Sequence, residues 1–355
     1  MTADDDGPPP NGDGELPPTG PTNLPVPLAP ASDPPTPARP GLSTFTIEGR
    51  AAPGLFVVGW LATISGIALV LLGALTPSAL LFYFIGPGVL TVGLVAGAGN
   101  QALERRARGE TYAGPSPYLV FAAIVAATFA VAFIVGLILH VLLGSLEGFD
   151  ELVALIAIIV QAAVFIGVIR LTVVGTDALS WSDMGWRRFD GAAIRDLLGG
   201  VLWALPVIFV TALLANALVS IFGVEPESPL PATGTATGLL LELIAGALIA
   251  PIAEEAVFRG FAISAWRRTV GDNGAIIRAS LLFALAHVIN VSGTSDQIVG
   301  LTVIGFVTRL PVAFVLGWLF VRRGSIWAPI GLHMSFNAIL LILSAVDVAS
   351  RAATG

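Results

Sequence analysis

"PIAEEAVFRGF", residues Pro251 to Phe261, sets two glutamates and an arginine inside an otherwise apolar run. The run around it, about 238–266, exceeds the ~20 apolar residues that a helix needs to cross a hydrocarbon core ~30 Å thick. Ionisable side chains in such a segment are expensive and point to function by default. The stretch therefore predicts two things together: a chain that crosses the membrane, and a crossing that keeps costly charges for a purpose.

The rest of the sequence agrees on the fold class. The chain has 355 residues, 55% of them hydrophobic and 12% charged, with a mean hydropathy of +0.87. A soluble domain would break its apolar runs with polar faces. The expected class is all-α, a polytopic integral membrane protein of eight or nine transmembrane helices. Nine candidate spans fall at about 55–75, 79–98, 118–143, 152–175, 197–222, 238–266, 275–291, 298–321 and 326–346. The first two are the least clearly separated, because the turn "TPS" is short and Pro87 interrupts the second.

Cysteine is absent, which excludes disulfides, thiolate catalysis and cysteine metal sites. All 17 basic residues are arginine, the formal charge is −7, and no basic patch suggests a nucleic-acid partner. Residues 1–50 are rich in Pro, Gly and Asp and hold too little apolar surface to offset the entropy of ordering. They are expected to be a disordered cytoplasmic tail, with a polyproline ligand as the other reading. They lack the basic start and apolar core of a signal peptide. Two further regions follow: N-terminal transmembrane helices over 51–176 and a chemistry-bearing domain over 177–348.

Arginine placement predicts the orientation, since short cytoplasmic loops collect Lys and Arg. Arg105, Arg106 and Arg108 follow span two; Arg187, Arg188 and Arg195 follow span four; Arg267, Arg268 and Arg278 flank the turn after span six; Arg322 and Arg323 end span eight. The intervening loops, "GSLEGFDE", "GVEPESPLPATGTAT" and "VSGTSD", carry acids and no arginine. The alternation predicts an inside N-terminus and an outside C-terminus, with Arg351 the one exception. All-arginine usage fits a GC-rich bacterial genome, which places the protein in the inner (plasma) membrane. Residues 178–196, with Trp181, Trp186 and Phe189 beside arginines, suit the headgroup region. No repeat relates the two halves, which disfavours transporter folds built from inverted repeats.

The ionisable residues within spans concentrate in the last four. Arg170 lies about one turn from a span end and can snorkel; Glu242 and His140 lie near outer ends. Glu255 and Arg259 are i and i+4 on one helix face, at ion-pairing distance. Glu254 points ~100° away, so it is available for other work. Pro251, one turn earlier, would displace the carbonyl of residue 247 from helical bonding and loosen the helix there. In "FALAH", Phe283 and His287 share a face, and Asn290 follows where it could orient the imidazole. In "HMSFN", His333 and Asn337 share a face. Each pattern alone also fits helix-to-helix hydrogen bonding. At ~1.5 Å rise per residue, Glu254, His287, His333 and Asn337 lie at similar depths on three helices and could meet in one cavity. A buried carboxylate near histidines can act as a general base on water. A histidine and an asparagine can stabilise an oxyanion. Arg309, in "TRLP", could bind a substrate carboxylate or pair with a structural acid; the structural role is the favoured reading.

The set E-E-x-x-x-R (Glu254, Glu255, Arg259), F-x-x-x-H (Phe283, His287) and H-x-x-x-N (His333, Asn337), in this order on late helices, resembles the CPBP intramembrane protease family. That family contains the type II CAAX prenyl endopeptidases and the bacterial Abi-type proteins, bacteriocin-immunity members among them. The resemblance covers about residues 178–346; "SWSDMGWRR" resembles the family's upstream segment, with Met184 where leucine is expected. It implies that Glu254 with His287 activates the attacking water, that His333 and Asn337 form the oxyanion hole, and that Glu255 and Arg259 support them. The implied substrate is a membrane-associated peptide or protein, with membrane lipids as the other partner.

Glu254, His287 and His333 are also the candidate ligands of a Zn²⁺ ion, although the H-E-x-x-H signature of zinc proteases is absent. Water activated by glutamate is the favoured reading, with metal as the alternative. Other intramembrane chemistries fit less well: "TISG" at 63–66 has Thr63 where a serine-protease motif needs glycine, and no G-x-G-D aspartyl motif occurs. The competing functions are a non-catalytic scaffold or bacteriocin-immunity-type protein and, further off, a transporter.

Overall fold

The computed structural model describes residues 50–76, 80–144, 149–225, 235–289, 294 and 297–354. The expected tail, apart from Arg50, lies outside the described residues, as does Asn290. Helices make up the described chain: α1 (Pro53–Leu75), α2 (Leu80–Ala107), α3 (Pro117–Leu143), α4 (Asp150–Ile169), α5 (Gly191–Val201), α6 (Ala204–Phe222), α7 (236–270), α8 (272–286), α9 (Ile298–Arg323) and α10 (Trp327–Thr354). No strand occurs among the described residues. The chain is an all-α, multi-pass membrane protein.

Seven stretches among the described residues are long and apolar enough to cross a membrane. One of them, Ala236–Ala286, is 51 residues long, far more than one crossing needs. It is divided at Gly271, whose φ of 73° breaks the helix and is readily adopted only by glycine. The chain turns back there: Phe258 on α7 and Phe283 on α8 meet edge to face with ring centroids 5.1 Å apart. The single long stretch thus holds the sixth and seventh expected spans. Helix α2 is not among the seven, and some of its side chains lie outside the described residues. Together these are consistent with the expected eight or nine spans.

Span five begins earlier than its hydropathy suggests. Asp190 caps α5, its carboxylate accepting from the Ala192 and Ala193 amides at 2.9 and 3.0 Å. A break at Leu202 and Trp203 then leads into α6. Asp190 lies within the segment read as interfacial, so residues 191–196 start a helix rather than completing a loop.

The arginine-bearing ends lie together. Arg106 in the last turn of α2 donates to the Thr176 carbonyl after α4. Arg268 near the end of α7 reaches Asp183 at 3.0 Å, and Arg323 at the end of α9 lies 3.7 Å from Asp196 in the middle of α5. Trp327 at the start of α10 donates its indole N–H to the Arg187 carbonyl at 3.1 Å. The loops that alternation assigned to one side are therefore neighbours in space. Asp183 accepts from the Ser180 hydroxyl and amide as well as from Arg268, which holds its carboxyl below the ordinary aspartate range. Met184, the departure from the family's leucine, is fully buried in this layer.

Two glycines let α10 approach α5 at backbone distance. A Cβ on Gly331 would sit 2.0 Å from the Leu197 carbonyl oxygen, and one on Gly200 would sit 2.0 Å from that of Ala328. Small residues permit this contact between helices that lipid cannot drive together hydrophobically. The seam lies two residues before His333 and sets the height and rotation of α10. Gly331→Ala is expected to abolish monodisperse folded protein in size-exclusion chromatography or to lower its melting midpoint sharply. Gly199→Ala, whose Cβ would meet only the tip of Arg323 at 3.4 Å, should change neither.

Candidate active site

The residues around Glu254 lie on a helix of irregular pitch. Helix α7 contains π-helical turns at Leu243–Ile249 and Ala256–Ile263, on both sides of the α-helical Ala250–Glu255. Pro251 has no N–H to give to the turn before it, and the wider register immediately upstream, with the Ala250 amide bonded to the Ala245 carbonyl, absorbs the mismatch. π-Turns inside helices release carbonyls from the regular ladder and recur at functional sites. One released carbonyl is used: Gly246 accepts from the Asn337 side-chain amide at 2.8 Å.

Glu254 and Glu255 divide as their helical angle predicts. Glu255 is fully buried, and its Oε1 accepts from Arg259 at 3.0 Å. The same oxygen lies 2.7 Å from His333 Nδ1. A carboxylate can only accept, so Nδ1 carries the proton and Nε2 is turned outward toward Glu254. Arg259 also donates to the Ala313 carbonyl at 3.3 Å and lies over the Phe283 ring, its guanidinium carbon 4.5 Å from the centroid, while its Nε and the second oxygen of Glu255 are buried without hydrogen-bond partners. Spacing in the sequence predicts the Glu255–Arg259 pair; it does not reveal His333 as the third member.

His287 is held in the same manner. Helix α8 tightens at its end, with the His287 amide reaching back to Ala284 at 3.3 Å and the Val288 amide to Leu285 at 3.1 Å. This frees the Phe283 carbonyl from the i→i+4 ladder, and it accepts from His287 Nδ1 at 2.8 Å. Neutral His287 thus presents the lone pair of Nε2. The F-x-x-x-H spacing has two physical reasons. The carbonyl of Phe283 fixes the tautomer, and its ring packs on the imidazole with centroids 4.4 Å apart. The same ring meets Phe258 and His333, at 5.1 and 5.8 Å.

Glu254 receives both histidines. Its Oε2 is 3.7 Å from His287 Nε2 and 3.8 Å from His333 Nε2. That oxygen is buried without a hydrogen-bond partner. Around these groups lies a cavity of about 450 Å³ bounded by α4, α6, α7, α8, α9 and α10, with Thr211, Arg309 and Asn337 among its lining residues. A second cavity of about 330 Å³ reaches Glu254 and His287 from α3 and α4; Phe121, Ile124, Phe129, Phe165 and Phe258 make it apolar. The tertiary structure therefore brings together all four candidate residues. Arg170 and His140, set aside from the sequence, lie exposed and away from this cavity.

One carboxylate oxygen and two imidazole lone pairs are reasonable donors for Zn²⁺. Ligand atoms at 2.0–2.2 Å in a tetrahedron stand about 3.3–3.6 Å apart, slightly closer than the 3.7 and 3.8 Å found. Among the described residues no group of three His, Asp or Glu side chains has metal-holding geometry. The arrangement as it stands does not fit the ion, and no step below passes through one.

Removing Glu255 would orphan a buried guanidinium. Glu255→Met should destabilise the protein by about 3–5 kcal/mol. The double variant Glu255→Met/Arg259→Met, which removes both charges, should recover part of that loss in denaturant unfolding.

Comparison with known proteins agrees with the motifs. No curated protein and no solved structure matches the chain. Residues 236–339 match the model of the Rce1-like family, described as type II CAAX prenyl endopeptidase Rce1-like, a segment that begins at α7 and ends just beyond Asn337. The resemblance read from the three motifs agrees with this match over residues 236–339, the segment that holds Glu254, His287, His333 and Asn337.

Proposed function

We propose that this protein is an intramembrane endopeptidase that hydrolyses a peptide bond of a membrane-associated substrate, with Glu254 and His287 activating the water. The observation that carries the reading is that two imidazole nitrogens approach one buried carboxylate oxygen that has no hydrogen-bond partner. Glu254 Oε2, His287 Nε2 and His333 Nε2 face each other at 3.7 and 3.8 Å from the carboxylate. These separations are too long for a direct hydrogen bond and short enough to share one water with both legs near normal length. A water so held donates its protons to Glu254 and His287 and keeps a lone pair for a substrate carbonyl.

The chemistry then follows in two steps. The water oxygen bonds to the carbonyl carbon as its proton passes to Glu254, a general base in reach of it. The carbonyl becomes an oxyanion facing α10. Asn337 gives one amide hydrogen to Gly246 and has its second for that oxygen. His333 can give that oxygen a second hydrogen bond only when Nε2 carries a proton. Fixed donors of this kind stabilise the developing charge without reorganisation. Collapse breaks the C–N bond, and the proton held by Glu254 or His287 passes to the leaving amine. Glu255 and Arg259 act through His333, by holding its ring.

The arginine alternation supports a multi-pass protein with its N-terminus in the cytoplasm, and the all-arginine usage supports a bacterial inner membrane. The prenyl-protease signature makes a CAAX-type chain terminus the first substrate to try. Purified protein in nanodiscs, given quenched-fluorescent peptides ending in a CAAX sequence with and without a farnesyl group, should cleave at least one. Glu254→Gln and His287→Ala should each lower kcat by about 100-fold or more while leaving the melting midpoint near that of the parent. Unchanged turnover in both variants would exclude this mechanism, and a Glu254→Gln variant that fully supports the cellular role would favour a scaffold or immunity function.

A further inference from the structure

Two arginines lie within the spans away from any helix end, and they are treated differently. Arg259 has a carboxylate, a carbonyl and an aromatic face. Arg309, on α9, donates one Nη1 hydrogen to the Gly305 carbonyl of its own helix at 2.7 Å. Among the described residues no carboxylate lies within 4.0 Å of it. Eleven residues separate it from Ile298 and fourteen from Arg323, the ends of α9. That is about 16 and 21 Å at 1.5 Å per residue, too far for its side chain to reach either headgroup region. A guanidinium in this position with most of its five donors unused is costly unless a ligand takes them up.

Arg309 lines the 450 Å³ cavity together with Glu254, His287, His333 and Asn337. Thr211 of α6 lines the same cavity, and its hydroxyl oxygen is buried without a partner. The apolar cavity on the other approach to Glu254 and His287 has no ionisable residue apart from those two. The space around the reacting groups is thus asymmetric in charge: a guanidinium on one side, and on the other a mainly aromatic and aliphatic wall whose polar members, Thr128 and Gln161, are uncharged.

We propose that Arg309, with Thr211 in the wall of the same cavity, is a carboxylate subsite that captures the free C-terminal carboxylate of the substrate. The apolar cavity takes up the apolar part of the substrate across the scissile bond. Arg309 is then a specificity-determining residue: its fork receives a carboxylate bidentately, sets the direction in which the peptide lies, and limits cleavage to bonds near a chain end. An acidic side chain offers the same chemistry and is the source to be distinguished. The proposal rests on the protease reading for its consequence, but the subsite itself can be tested without turnover.

The test uses Glu254→Gln protein in phosphatidylcholine nanodiscs and fluorescein-labelled libraries of apolar octapeptides. One library has free C-termini, one has amidated C-termini, and one is amidated with a single glutamate at the last position. The free-acid library should bind about tenfold or more tightly than the amide, the scale of a charged hydrogen bond. Glu254→Gln/Arg309→Gln should bind the two equally, and Glu254→Gln/Arg309→Lys should keep part of the preference. The glutamate library should bind like the amide; binding like the free acid would overturn the assignment to a chain terminus. Equal binding of acid and amide, or binding of neither, would overturn the subsite. Cleavage of the same libraries by the parent protein separates the two readings. Acid-selective binding without cleavage leaves the subsite standing and removes the protease. Cleavage indifferent to amidation does the reverse, and Arg309 would then act only on the charge of Glu254.

Discussion

One buried carboxylate organises the centre of this molecule. Glu255 is closed off from solvent, yet it joins α7 to α10 through His333 and holds Arg259 on its own helix. An ionised carboxylate in this position is tolerated only when its partners share the charge, and the partners are thereby fixed in turn. Arg259 is held against Phe283, and Phe283 is held against His287. A single ion pair thus determines the ring orientation of both histidines, one directly and one through an aromatic side chain. The adjacent Glu254, turned away by the helical angle, is left without a hydrogen-bond partner for its buried oxygen.

The backbone serves the same end. In a membrane every carbonyl removed from its helical ladder needs another partner. Here the freed carbonyls are used as clamps: Gly246, in a π-turn, holds Asn337, and Phe283, beneath the tightened end of α8, holds His287. The irregular stretches of α7 therefore follow from Pro251 on one side and give the side-chain amide of α10 a receptor on the other. The close seam at Gly200 and Gly331 makes α10 rigid enough for these bonds to define a position.

Much of this is legible in the sequence. Length and apolarity of runs mark the spans, because a helix in lipid must satisfy its backbone internally and expose apolar side chains. The i, i+4 spacing marks Glu255 with Arg259, Phe283 with His287, and His333 with Asn337 as face-sharing pairs, because helical pitch is a local property. Arginine alternation marks which loops share a side, and the contacts of Arg106, Arg268 and Arg323 agree. Less legible are the start of α5, where the cap at Asp190 outweighs a polar, aromatic composition, and the position of Thr211 in the wall of the cavity that Arg309 also lines. An isolated threonine in an apolar helix is common, and only the cavity gives it meaning.

By itself, then, the sequence determined the all-helical membrane class, the helical faces and the list of candidate residues. All of these depend on interactions within four residues of one another or on composition summed over a span. The tertiary structure decided which candidates meet. The 78-residue separation of Glu255 and His333, the fold-back at Gly271 and the glycine seam are relations between helices, set by packing and by the need to neutralise buried charge. No local spacing encodes that one oxygen of Glu255 serves two helices, and that contact turns the imidazole of His333 toward Glu254.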